Sequence, residues 1–203
     1  LRTTIIDKII KSDLPERFKN INKELLYKLL ELFYREPGFY LDYDNLSKSL
    51  RISKNTLYKH IFYLEFCYLI RIIKNFRPST LSTSRKMQRV YPYWWNLAYC
   101  YGENNDKILE SFVLSIIDGK YYWRDLEKEI DFLEIEGKSI LPIEVKNKET
   151  VEERELNTLK LFMERYKIKK ALLLYLGNKK IREFDSRKIE FLPFWKWLLE
   201  GNR

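Results

Sequence analysis

The stretch EIDFLEIEGKSILPIEVKNK, residues 129–148, holds the side chains best suited to chemistry on an anion. Two short apolar runs flank Gly137 and Lys138, a pair that suits a two-residue type II′ hairpin, whose first central position needs positive φ. Counting outward from Glu136 opposite Ser139 places Asp131 opposite Glu144 and Glu129 opposite Lys146. Strand alternation then puts Asp131, Glu144 and Lys146 on one face, and Ile130, Phe132, Leu141, Ile143 and Val145 on the other. Directly opposed side chains have Cβ atoms about 5 Å apart, where like charges are destabilising. The pattern therefore asks for a cation. Mg²⁺ or Mn²⁺ is one answer, because such ions take one or two carboxylates plus water and phosphate oxygens, and Lys146 could then hold a phosphate or polarise a water. The other answer is an ion pair between Glu129 and Lys146, with the two acids turned to solvent or one of them protonated. If the acids repel, Asp131→Asn should leave the metal-free protein at least as stable. Pro142 lacks an N–H, which predicts an irregular or edge position for its strand.

The rest of the chain narrows the chemistry. His60 is the only histidine among 203 residues, so sites built on several histidines are excluded and metal ligands must mostly be carboxylates. Cys67 and Cys100 stand apart without CxxC spacing, which fits a reducing cytoplasm. Hydrophobic residues are 45% and charged residues 33%, the balance of an ordered globular chain. No apolar run approaches the roughly 20 residues of a membrane span. The opening LRTTIIDKII has no initiator Met and no signal-peptide pattern, and reads as a piece of a longer protein.

Net charge is +9, and it is unevenly placed. Between residues 46 and 96, Lys48, Arg51, Lys54, Lys59, Arg71, Lys74, Arg77, Arg85, Lys86 and Arg89 face a single acid, Glu65. Residues 97–203 are balanced. The first half has the composition of a polyanion binder.

Helical spacing in INKELLYKLLELFYRE ends at Pro37-Gly38, a short helix follows in YDNLSKSL, and Ser53 is a good N-cap for KNTLYKHIFYLEF. In that last helix Leu57, Ile61 and Leu64 form the buried stripe. Lys54, Asn55, Tyr58 and Lys59 are left outside, a mixture suited to DNA bases and phosphates. Two strand-like segments, CYLIRIIKNF and MQRVYPYWW, enclose the basic loop RPSTLSTSRK, so three helices and a basic hairpin predict a winged helix-turn-helix. Such a domain serves DNA or a protein partner. Downstream, DKILESFVLSII reads as a helix carrying Glu110, YYWR as a strand, the hairpin as two more, EERELNTLKLFMERY as a helix and KKALLLYL as a buried strand. Glu110 is either a site acid or a helix-surface residue.

The segments LESFVLSII, YYWR, EIDFLEI and LPIEVKNK resemble the C-terminal region of a group of archaeal and bacterial AAA+ ATPases that ends in a PD-(D/E)XK nuclease-like domain, and LRISKNTLYKHIFYLEFCYLI resembles the winged helix preceding it. The resemblance implies an α+β chain of two domains, a winged helix-turn-helix over 1–96 and a restriction-endonuclease-like α/β domain with a mixed sheet over 97–203. Residues 1–20 would connect to an upstream ATPase absent from this chain. It also implies that Glu110 is the first acidic motif, Asp131 the central aspartate, and Glu144 and Lys146 the ExK pair of a Mg²⁺ or Mn²⁺ site. No GxxxxGK[ST] occurs, so no ATP site is expected here. Where the family has an Asp and a Gly between the domains, this chain has Trp94, Trp95, Asn96 and Leu97.

Overall fold

A computed structural model describes residues 2–77, 87–117 and 119–200. The chain divides into two compact units, one built from Leu1–Lys74 and Ser84–Ser115 and the other from Asn75–Thr83 and Ile116–Arg203. Arg85 and Lys86 lie outside the described residues. Among those residues no helix is long and apolar enough to cross a membrane.

The first unit begins with two wide π-helical segments, Arg2–Ile6 and Ile9–Asp13, and the single turn α1 (Leu14–Arg17). Its body runs α2 (Lys23–Arg35), β1 (Phe39–Leu41), α3 (Tyr43–Ser49), α4 (Lys54–Phe66), β2 (Ile70–Asn75) and β3 (Gln88–Pro92), followed by a 3₁₀ turn at Trp95–Cys100 and α5 (Asn105–Ile116). Each main helix starts where a short polar side chain takes an orphan amide: Asn22 accepts from Leu25, Asp42 from Asp44 and Asn45, and Ser53 from Thr56. Leu57, Ile61 and Leu64 of α4 are buried with Leu26, Leu30 and Phe33 of α2, as the spacing predicts. His60 is buried beside them. Its Nε2 accepts the Asn22 amide at 3.1 Å, so its proton sits on Nδ1, 2.7 Å from the Thr56 carbonyl. The one histidine thus joins α4 to the start of α2.

Strands β1 and β2 both pair antiparallel with β3, Phe39 and Ile72 each meeting Val90. Three residues are too few to show a period, which is why β1 is missing from the sequence reading. The boundary expected at 96/97 and the structural one after Ser115 are separated by a stretch that holds most of the 3₁₀ turn and nearly all of α5. Ile108 joins the first unit's core and Arg71 Nη1 donates to the Leu114 carbonyl at 2.6 Å, which ties this helix to the first unit.

In the second unit β4 (Tyr121–Asp125), β5 (Lys128–Glu136) and β6 (Ser139–Val145) form an antiparallel meander. A 3₁₀ turn at Glu153–Leu156 and α6 (Asn157–Arg165) then cross to β7 (Lys170–Tyr175), parallel to β6. β8 (Lys180–Phe184) and β9 (Arg187–Pro193) follow, with β9 parallel to β7 and β8 outside it, and α7 (Phe194–Glu200) ends the unit. The order β4-β5-β6-β7-β9-β8 leaves β7 interior, consistent with its unbroken apolar run. Leu159, Phe162 and Met163 of α6 cover Trp123, Leu133, Ala171, Leu173 and Phe191.

Pro142 is not at an edge, because β6 lies between β5 and β7. Its missing N–H is tolerated for two reasons. Alternation outward from the turn places it at a non-hydrogen-bonded position opposite Leu133, and the β7 ladder begins only at Ile143.

Beyond β6 the chain runs on beside β7, with Lys146 N–H bonded to Leu174 O at 2.9 Å and Leu176 N–H to Lys148 O at 3.0 Å. Gly177 ends that contact. A Cβ there would overlap the Glu149 carbonyl oxygen and the Tyr175 ring. Gly177→Ala is therefore expected to lower stability by about 1–3 kcal/mol, the usual cost of forced overpacking. Urea unfolding should show a lower midpoint at unchanged m-value, and an unaltered midpoint would refute the close approach.

Candidate functional site

The hairpin register matches the sequence count: Glu136 meets Ser139 and the ladder runs to Phe132 opposite Ile143. Gly137 has φ +57° and Lys138 is not among the positive-φ residues, as a II′ turn requires. On the other side of β5 the register slips, because Asp131 and Phe132 together face the single residue Tyr122 between the Trp123–Ile130 and Tyr121–Leu133 pairs. That is a β-bulge, a device that re-aims side chains. It corrects the expected faces: Ile130 packs with Leu133 under α6, whereas simple alternation put it with Phe132. It also explains what Asp131 does. The next hydrogen-bonded pair of the β5–β6 ladder would join Val145 to Ile130, but the bulge draws Ile130 toward β4. Asp131 Oδ2 accepts the Val145 N–H instead, at 2.9 Å.

Glu144 and Asp131 are both buried, and Lys146 supplies the cation. Its Nζ donates to Glu144 Oε1 at 2.7 Å. Burial by itself would lower the lysine's pKa, but the Glu144 and Asp131 carboxylates, the hydrogen bond to Glu144 and the nearby Glu155 together raise it above its ordinary value. Lys146 therefore carries its positive charge at neutral pH. Glu129 does not reach it; its carboxylate lies 4.0 Å from Arg124, its neighbour on β4. Lys148 pairs with Glu155, whose other oxygen takes the Glu152 N–H at 2.9 Å, so the start of α6's 3₁₀ turn is tied to the strand bearing the site. Spacing alone did not point to Glu155 or to the Val145 amide.

The donor set suits a hard divalent ion only in part. Two carboxylates meet the minimum for Mg²⁺. Among the described residues no three His, Cys, Asp or Glu side chains are gathered where they could hold one ion.

Glu110 lies on α5 in the first unit and is buried, not a surface residue. Lys107 Nζ donates to its Oε1 at 2.6 Å and Tyr91 Oη to its Oε2 at 3.0 Å. Arg89, expected to face DNA, is likewise inside: its guanidinium donates to Tyr91 Oη at 3.0 Å and Tyr40 Oη at 2.9 Å and covers the Tyr40 ring. A buried charge needs such partners, and the Tyr91 hydroxyl that accepts from Arg89 donates to the Glu110 carboxylate. Arg71 is also committed, to the Leu114 carbonyl and over the Tyr93 ring.

Of the other expected DNA contacts, Lys54, Asn55, Tyr58 and Lys59 are exposed on the first two turns of α4. Lys54 pairs with Asp44 and Tyr58 stacks on Tyr43, ring centroids 4.0 Å apart. Lys74 is exposed on β2. Arg77 belongs to the second unit and helps hold the Asp125 carboxyl below its ordinary value, a shift owed first to the hydrogen bond from Arg165.

With this geometry in view, comparison with known proteins is informative about the second unit. Residues 107–197 match the family described as "Domain of unknown function (DUF4143)". Residues 1–93 match "Domain of unknown function (DUF8612)". The chain is also similar to the uncharacterized protein MJ1544 of the archaeon Methanocaldococcus jannaschii, at 28% identity over 215 residues, covering 96% of this chain and 48% of that protein. The chain thus spans about half the length of this curated relative.

Proposed function

We propose that this chain is the DNA-handling module of a cytoplasmic AAA+ ATPase: a winged helix-turn-helix that docks on DNA, followed by a restriction-endonuclease-like unit that hydrolyses phosphodiesters with Mg²⁺ or Mn²⁺. The observation that carries this reading is the convergence of Asp131, Glu144 and Lys146 where the β5–β6 ladder stops. The order helix, strand, two helices and hairpin supports the first assignment. The link to an ATPase is supported by the match of residues 107–197 to a domain typically found with AAA ATPase domains.

Asp131 and Glu144 would hold the ion, which when bound supplies charge stabilisation and a more acidic water. Lys146, charged at neutral pH, would not take a proton from that water. It would hold a non-bridging phosphate oxygen; as the water oxygen bonds to phosphorus and the P–O bond to the leaving sugar oxygen breaks, the water's proton would pass to solvent and the sugar oxygen would take one from solvent. A second reading, a non-catalytic DNA- or protein-binding module, is favoured by the closed Lys146–Glu144 pair and by the lack of a third acid among the described residues.

Incubation with single-stranded, duplex and branched DNA decides between them. Metal-dependent cleavage lost in Asp131→Ala and Glu144→Ala supports the hydrolase, and no cleavage of any form with either metal supports the module. DNA binding should weaken with salt, each neutralised phosphate adding about 0.9 to the slope of log K against log salt. Lys59→Ala should reduce that slope by about one such step. Lys54→Ala should reduce it less, because Asp44 already neutralises that lysine. Unchanged slopes in both variants would remove α4 from the DNA surface.

A further inference from the structure

The segment that carries Glu144 and Lys146 runs on to a second lysine, whose partner is an acid of the next turn. Lys148 Nζ bonds Glu155 Oε1, and Glu155 Oε2 takes the Glu152 N–H at 2.9 Å. The same carboxylate stands close enough to Lys146 to help keep it charged. One acid therefore lies beside two lysines and is bonded to the outer one, while the inner one is held by Glu144 at 2.7 Å. The other acids of this turn are matched elsewhere, Glu152 by Arg154 at 2.6 Å and Glu153 by Lys160 and Arg182. Glu149, next to Lys148, is exposed.

The two lysine pairs differ in what opening them costs. Glu144 is buried, so parting it from Lys146 strands a charge away from water. Lys148 and Glu155 keep 44% and 23% of their side-chain exposure, and an ion pair open to water is worth little, so an incoming anion can take the acid's place at small cost. Phosphate oxygens accept from a lysine as carboxylate oxygens do. DNA carries a phosphate at every nucleotide, so a strand whose scissile phosphate lies at Lys146 presents another one nucleotide away.

Resting on the hydrolase reading above, we infer that Lys148 binds the phosphate next to the scissile one, and that the Glu155 carboxylate occupies this seat until DNA displaces it. Lys148 is thus a substrate-binding residue and Glu155 a competitor built into the fold. Together they set how tightly the strand is held, without touching the phosphorus that reacts.

Variants of the whole chain test this, assayed for kcat and KM on the DNA form that is cleaved and for metal-free binding of the same DNA by fluorescence anisotropy over a range of salt. Lys148→Ala should raise KM by about 5- to 30-fold, the worth of a charge-assisted hydrogen bond less that of the exposed pair it replaces. It should leave kcat within about twofold and reduce the slope of log K against log salt by about one phosphate's step. Glu155→Gln should lower KM by about 2- to 5-fold, because no ion pair then has to open. Glutamine still accepts the Glu152 amide, so the turn keeps its cap. Lys148→Ala combined with Glu155→Gln should match Lys148→Ala, since the acid acts through the lysine. Glu149→Gln removes a charge beside Lys148 without freeing it and should change KM less than Glu155→Gln does. Unchanged KM and salt slope in Lys148→Ala, equal effects of the two glutamine variants, or a Glu155→Gln gain that persists without Lys148 overturns the inference, while metal-dependent cleavage upholds the hydrolase. A fall in kcat at unchanged KM in Lys148→Ala and Glu155→Gln also overturns it and makes the pair a clamp on the turn. No cleavage of any DNA form by wild type removes both.

Discussion

Lys146→Met is expected to lower the stability of the metal-free protein by about 2–4 kcal/mol at neutral pH. Removing one member of a buried ion pair leaves the other charge desolvated, a loss of about 3–5 kcal/mol when both are fully buried. The figure is reduced because the Lys146 side chain keeps 27% of its exposure, against 11% for Glu144. Glu144→Gln combined with Lys146→Met should regain most of the loss, since no charge is then stranded. A denaturation cycle over the two single variants and the double measures this coupling, and simple additivity would mean that the pair is of no consequence.

Two pH trends follow. The folded pKa of Lys146 lies above its ordinary 10.5, so its contribution is complete below that pH and is lost as pH rises through the folded value. The gap between wild type and variant should therefore close only in strong alkali. In Lys146→Met, acid should restore part of the stability, because the stranded Glu144 binds its proton more readily folded than unfolded.

Mg²⁺ or Mn²⁺ at 100 times its dissociation constant should stabilise wild type by about 2.7 kcal/mol, because it binds only the native site. Asp131→Asn should lose that gain. Lys146→Met should show a larger metal response than wild type, since the lysine competes with the ion for Glu144 Oε1. Thermal melts of the three proteins with and without metal read all of this. Equal shifts in all three, or none in any, would leave the acids a structural element of the hairpin and favour the binding-module reading. Asp131→Asn without metal is now expected to cost about 1–2 kcal/mol, not to be neutral, because the carboxylate takes the Val145 amide and faces a lysine.

Features set by a few neighbouring residues were legible in advance. Gly137-Lys138 determines the hairpin register through turn chemistry, which is as counted from Glu136–Ser139 to Phe132–Ile143, one pair short of Asp131 and Glu144. Ser53 and the spacing of Leu57, Ile61 and Leu64 determine where α4 starts and which side it buries. β8 and β9 carry no such local signal, because Asp185 and Ser186 take positive φ at a turn that usually announces itself with Gly.

What no local pattern could decide is which partner each charge finds. The bulge that turns Asp131 onto Val145 exists only because β4 pairs with β5 out of step. Lys146 chooses Glu144 over Glu129 because Arg124 on β4 already faces Glu129. Glu110 and Arg89 are both read from sequence as outward or ligand-facing, yet they are buried around Tyr91, since α5 packs into the first unit and brings an acid into the hydrogen-bonded network that holds the guanidinium. Periodicity fixes which way a side chain points on its own element. Whether a charge ends in water, on a ligand or against another charge is a long-range electrostatic outcome, and only the tertiary structure settles it.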